Sequence, residues 1–228
     1  MQSKICNLKL ALFYQHNINE HTKLGIWKIE EPEEFFLTEV PQHRAITHPH
    51  KRLQHLAGRY LLKYLFPDFP YEEIVIADTR KPYLPYEQYH FSISHCGDYA
   101  AAIVSRKQRV GIDIELPSPK IKKISHKFLN IQEREQFNIL PVIYNATESH
   151  NASNDKLLTV LWCAKEAVYK WWGWGSVDFS DHILLKEFAI NNEGEITANF
   201  IRMQRSFELN LCYKVFESIC LVWISSAA

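Results

Sequence analysis

Residues 48–70 read HPHKRLQHLAGRYLLKYLFPDFP, and within them Leu53, Leu56, Ala57, Tyr60, Leu61, Tyr64 and Leu65 recur at the i, i+3, i+4, i+7 spacing of one helical face. Pro67 stops the run, while Arg52, Arg59 and Lys63 fall off the stripe. An apolar stripe of this kind has to be covered by another layer, and the rest of the chain supplies strands. Segments 5–14 and 24–30 read as strands, with a proline-started acidic turn at Glu31–Glu34. Glu72–Asp78, Tyr89–Ser94, Tyr99–Val104 and Arg109–Glu115 read as four more. After Pro117 and Pro119 a helical pattern runs to about residue 139, ahead of Pro141. Asn145–Asp155 has almost nothing to bury and reads as a loop, a second strong helix spans about Lys156–Trp172, and 181–226 reads as strands and turns. Strands and helices interleave without a fixed repeat, which predicts an α+β fold in which residues 1–110 and 111–228 each make a small α+β half.

Composition narrows the partners. At 228 residues the chain has room for one large domain or two closely packed halves. Lys plus Arg and Asp plus Glu stand at 26 each, so there is no long-range positive field for nucleic acid or a membrane surface, and any phosphate must be held by a local cluster. Five scattered cysteines without a Cys-x-x-Cys pair suggest neither a disulfide framework nor a zinc site. The N-terminal stretch lacks the uninterrupted apolar run of a signal peptide, which together with the cysteines predicts a cytoplasmic location. His43, His48, His50 and His55 crowd one region without a cysteine or carboxylate at metal spacing, and read as surface or loop histidines.

Four segments carry chemistry. In Gly111-Ile112-Asp113-Ile114-Glu115, strand alternation puts the two acids on one face and the isoleucines on the core face. Two adjacent carboxylates repel unless a cation lies between them, and hard oxygen ligands suit Mg2+. In LTVLWCAKEAVYKWW, Glu166 and Lys170 share a helical face while Leu157, Leu161, Ala164 and Val168 form a buried stripe. Taken alone, the first could be a solvent-facing strand edge and the second an ordinary pair worth about 0.3–0.5 kcal/mol. The strand Tyr89–Ser94 delivers Ser94 and His95 into a turn opened by Gly97, where a hydroxyl and an imidazole can hydrogen-bond phosphate. A Ser–His hydrolase centre is disfavoured, because adjacent strand residues point to opposite sides. Finally, Thr79-Arg80-Lys81-Pro82 sets two cations before a proline that stiffens the loop.

In this order the segments resemble the 4′-phosphopantetheinyl transferase superfamily, in its larger, pseudo-dimeric surfactin-type class. Its (G)-K-P, F-x-x-S-H-S-G, G-x-D-x-E and W-x-x-K-E-x-x-x-K motifs stand here as Arg80–Pro82, Phe91–Gly97, Gly111–Glu115 and Trp162–Lys170. Arg80 replaces the glycine and Cys96 the second serine. The resemblance implies two similar halves about a pseudo-twofold axis, with the active site at their interface and the metal site in the C-terminal half. It implies an enzyme that moves phosphopantetheine from coenzyme A to a serine of an acyl or peptidyl carrier protein, releasing adenosine 3′,5′-bisphosphate. Asp113, Glu115 and Glu166 would hold Mg2+, with Mn2+ as the alternative, and Glu166 and Lys170 would be catalytic. Arg52, Arg59, Lys81, Pro82, Ser94, His95, Lys165 and Lys170 would contact coenzyme A, and Glu133 aligns with a further family carboxylate. A monomer without nucleic-acid or membrane partners is expected, serving fatty-acid, polyketide or non-ribosomal peptide synthesis. Two other readings of the same residues are a non-catalytic carrier-binding module and a metal-dependent nucleotide pyrophosphate hydrolase.

Overall fold

The computed structural model describes residues 12–41, 45–139 and 152–226. Its strands are β1 (Leu12–Asn19), β2 (Thr22–Lys28), β3 (Val75–Ile76), β4 (Pro82–Tyr83), β5 (His90–Cys96), β6 (Tyr99–Ser105), β7 (Arg109–Glu115), β8 (Ile183–Leu185), β9 (Glu193–Arg202), β10 (Arg205–Val215) and β11 (Cys220–Ser226). Its helices are α1 (Glu33–Leu37), α2 (Pro49–Leu65), α3 (Pro119–Ile124), α4 (Ile131–Gln136), α5 (Ala152–Trp172) and α6 (Phe179–His182). The strands form a sheet of order β1-β2-β6-β5 and another of order β7-β11-β10-β9-β8, both antiparallel throughout, plus the short β3-β4 ladder.

Each large sheet carries one long helix. The α2 stripe packs Leu56, Leu61, Leu62 and Leu65 against Trp27, Ala100, Ala102 and Val104 of the first sheet. At about 1.5–3 kcal/mol per buried leucine, that face explains why the segment folds as one helix. His48 caps it, its side chain accepting the Lys51 N–H. On the second sheet α5 buries Leu161, Ala164, Ala167 and Val168, whereas Leu157 is only partly buried at its edge. The opposite faces of the two sheets meet through Leu24, Ile26, Ala101, Ile103, Ile112, Ile114 and Leu221. Strands β6 and β7 are therefore covered on both sides, which is why Ala100–Val104 is apolar throughout rather than alternating.

Some expectations shift. The strand expected over 72–78 is a turn of 3-10 helix at Tyr71–Glu73 followed by the two residues of β3, because Val75 and Ile76 stay 42% and 49% exposed with no layer to face. The helix expected up to residue 139 breaks into α3, a 3-10 turn and α4, since Asn130 and Glu133 form a capping box that starts a new helix. Ala152–Asp155, read as loop, is the first turn of α5; 145–151 and the 5–11 part of the first expected strand lie outside the described residues. Among the described residues the four cysteines are free, and no helix is long and apolar enough to cross a membrane.

Candidate active site

The two sheets abut along β5 and β7, where the Ile112 N–H donates to Ser92 Oγ at 3.2 Å. Two residues further along β5 and one further along β7, Ser94 Oγ donates to Asp113 Oδ1 at 2.7 Å. From α5, Lys170 Nζ reaches both, 2.6 Å from Asp113 Oδ1 and 2.9 Å from Ser94 Oγ. The helix can come this close because residue 111 is glycine: a Cβ there would lie 2.0 Å from the Ala167 carbonyl oxygen.

The result is a buried serine–aspartate–lysine triangle flanked by two more acids. Asp113 is 3% exposed, and its Oδ2 is buried with no partner among the described residues. Burial, then the Asp113 charge, pushes the carboxyl groups of Glu115 and Glu166 up to about 7, against the pull of Lys170. Burial pulls Lys170 down, but the Asp113 carboxylate outweighs it and leaves the ammonium above its ordinary value. An orphaned carboxylate oxygen beside two carboxyls that tend to keep their protons is a donor set short of positive charge, and it suits a hard divalent cation. Among the described residues no three His, Cys, Asp or Glu groups already converge on a common point, so Asp113, Glu115 and Glu166 are neighbours in one field, with Lys170 as the cation in contact.

The other expected residues divide. Lys81 Nζ donates to the Lys170 carbonyl oxygen at 2.6 Å, and burial, reinforced by Arg109, lowers its amine to about 8. A cavity of about 230 Å3 runs between Thr79–Pro82 and Lys170, bringing Lys81, Pro82 and Lys170 to one space. His95, one residue past Ser94, is exposed and is not part of the lining of this cavity. Arg52 is occupied by Glu33, its Nε 2.7 and 2.8 Å from the two carboxylate oxygens, and by the Ile46 carbonyl. Arg59 is 5% exposed, with its guanidinium over the Tyr71 ring, and so does not present a free charge to a phosphate. Lys165 is fully buried, 2.6 and 2.8 Å from the Glu133 carboxylate oxygens, and also donates to the Phe179 and Ile183 carbonyls. Glu133 further accepts the Asn130 and Leu185 N–H groups, which makes this pair the tie between α4, α5 and β8.

Sequence reasoning missed one contributor. Ser92, which bridges the sheets, carried no signal beyond its place opposite an apolar neighbour. The burial of Lys165 was legible, since it stands four residues after Leu161 on the apolar face of α5.

Two antiparallel sheets, each backed by one long helix and meeting at an acidic cluster with a lysine, define the class of protein. A sequence model described as the 4′-phosphopantetheinyl transferase superfamily matches residues 109–221, which include the whole of β7 and α5, and the chain belongs to that superfamily. It is 31% identical over 156 residues to a protein of Haemophilus influenzae named putative 4′-phosphopantetheinyl transferase, covering 66% of this chain and 62% of the relative. It is 30% identical over 137 residues to enterobactin synthase component D of Escherichia coli, covering 58% of this chain and 60% of that protein. The chain thus spans about three fifths of the length of these relatives.

Proposed function

We propose that the protein transfers 4′-phosphopantetheine from coenzyme A to a serine of a carrier protein. The observation that carries this reading is the Lys170–Asp113–Ser94 triangle flanked by two acids poised near neutrality. The carrier serine oxygen forms a bond to the β-phosphorus of coenzyme A while the bond from that phosphorus to the α,β-bridging oxygen breaks, so that adenosine 3′,5′-bisphosphate leaves. Glu166, with a carboxyl near 7, accepts the serine proton at working pH. Lys170 sets its charge against the diphosphate as negative charge moves to the leaving group. Asp113, Glu115 and Glu166 would hold Mg2+, or Mn2+ in its place, which when bound supplies charge neutralisation at the diphosphate. The cavity beside Lys81 and Pro82 supports placing the nucleotide there, with His95 as a further phosphate contact in this reading. In this reading residues 1–110 and 111–228 are two related halves of the surfactin-type arrangement, with the reaction at their junction. The Escherichia coli relative, named as an enterobactin synthase component, supports a carrier of non-ribosomal peptide synthesis as the acceptor.

The test is to incubate the full chain with coenzyme A, Mg2+ and an apo peptidyl carrier protein and to weigh the carrier. Gain of one phosphopantetheine mass, lost in Glu166→Gln, supports the transfer. Coenzyme A cleavage at an undiminished rate without a carrier would replace it with a hydrolase, and an unmodified carrier with coenzyme A intact would replace it with a binding module.

A further inference from the structure

A second cavity, of about 390 Å3, opens at the other end of the β5–β7 seam. His90 and Arg109, the first residues of β5 and β7, form one wall, Tyr83 of β4 another, and Trp171 to Trp174 at the end of α5 a third. Its lining runs on to Phe91 and Val110, three residues short of Ser94 and Asp113, so about 10 Å of extended chain separates this cavity from the acidic cluster. Lys81 borders both spaces.

Its chemistry is specific. The walls are aromatic, and Trp174 is 65% exposed, so a ring entering from solvent finds a face to stack on. The Arg109 guanidinium lies 5.8 Å from the centroid of the Trp174 ring and has no carboxylate partner among the described residues. Lys81 donates to a carbonyl oxygen and likewise meets no carboxylate there. Trp171 and Trp172 each carry a buried indole N–H without a hydrogen-bond partner among the described residues. Two cations against the single carboxylate of Glu87 leave the lining one positive charge in excess, which calls for a monoanion. The aromatic walls call for a flat one, and the volume suits one or two fused rings. Glu87, on the same lining, disfavours a polyanion.

We propose that this cavity is a second ligand site, distinct from the transfer site, which takes a small planar aromatic carboxylate: the ring stacks on the aromatic wall and the carboxylate meets Arg109 and Lys81. A short aliphatic acid would leave the walls uncovered, and a neutral arene would leave the cations unmatched. Arg is suited to the task because its planar fork can bind a carboxylate through two hydrogen bonds while its face lies on a ring.

Isothermal titration of the full chain with sodium 2-naphthoate, 2-naphthalenemethanol and sodium benzoate tests this. The naphthoate should bind at a single site, with the neutral alcohol about tenfold weaker, the order expected when a charge-assisted pair is lost. Arg109→Gln and the exposed-site variant Trp174→Ala should each weaken naphthoate by about fivefold or more while keeping the wild-type circular dichroism spectrum. Because Lys81 and Pro82 border both spaces, saturating coenzyme A should weaken naphthoate by at most about tenfold without abolishing its binding. Equal binding of acid and alcohol, indifference to both variants, complete displacement by coenzyme A, or no saturable binding of either acid at millimolar concentration would each overturn the proposal.

Discussion

Lys170 and Asp113 stand 57 residues apart in the chain and meet at 2.6 Å, with the second Asp113 oxygen buried and without a partner among the described residues. The contact joins α5 to the seam between the sheets. Removing the lysine leaves a carboxylate that is 3% exposed without its cation, and Lys170→Ala should therefore cost about 3 kcal/mol in urea unfolding. Millimolar Mg2+ should restore part of that loss and stabilise the variant more than it does the parent. A variant as stable as the parent, or one indifferent to Mg2+, would refute this account.

The Lys165–Glu133 pair is fully enclosed, with side-chain exposures of 0% and 4%. Glu133→Gln alone strands a buried ammonium and should destabilise the chain by about 3–5 kcal/mol. Replacing both partners, as Glu133→Leu with Lys165→Met, should recover much of the loss, although the N–H groups of Asn130 and Leu185 would still lack their acceptor. If the double variant also transfers at near the parental rate, the pair positions α4 and α5 without touching substrate. Transfer abolished in a stable double variant would instead return Lys165 to the reaction.

Much of this arrangement was legible in the sequence, for local reasons. Strand alternation in Gly111–Glu115 and helical spacing from Trp162 to Lys170 both depend on near neighbours, and both elements appear where expected. What eluded the sequence was set by long-range packing. Glu166 and Lys170 read as a helical pair, yet Lys170 turns to Asp113, because the two sheets abut and bring a stronger, desolvated charge within reach. Arg52 and Arg59 read as two charges off an apolar stripe, but α1 supplies Glu33 to the first and Tyr71 takes the second into the core. The short pieces of 72–78 and 119–139 follow from exposure and side-chain capping, which periodicity does not encode.

Two glycines at helix–strand contacts should respond very differently to alanine. A Cβ at residue 111 would meet the Ala167 carbonyl oxygen at 2.0 Å and the Trp171 nitrogen at 2.8 Å, and backbone of a packed helix cannot step aside. At residue 58 it would meet Ile93 Cγ2 at 2.6 Å, a branch methyl that gives way only if the isoleucine shifts or changes χ1, a smaller cost than moving helix backbone. Gly111→Ala should lose more than about 3 kcal/mol, or fail to fold, and Gly58→Ala about 1–2 kcal/mol. Comparable urea midpoints for the two would contradict the close approach of α5 to β7.

Lys81 supplies a pH dependence. Burial and Arg109 bring its amine to about 8, below the 10.5 of the unfolded chain, so the unfolded state holds the proton more tightly. The stability it contributes is present above about 10.5 and is lost as the pH falls through 8. Relative to Lys81→Met, the parent should therefore gain thermal stability from pH 8 to pH 10. The groups around it are Arg109, charged throughout, the Lys170 carbonyl, Glu87, Tyr89, held above its usual value mainly by burial, and His90, held below its usual value mainly by burial and so neutral in this window. A carboxylate bound beside Lys81 would lift the amine back toward 10.5, so binding takes up a proton between the two values. Naphthoate should accordingly bind more tightly at pH 7.5 than at pH 9.5, by about fivefold or more. Calorimetry in two buffers of different ionisation enthalpy should show that proton entering at pH 9. An affinity flat across this range would mean that Lys81 does not face the bound anion.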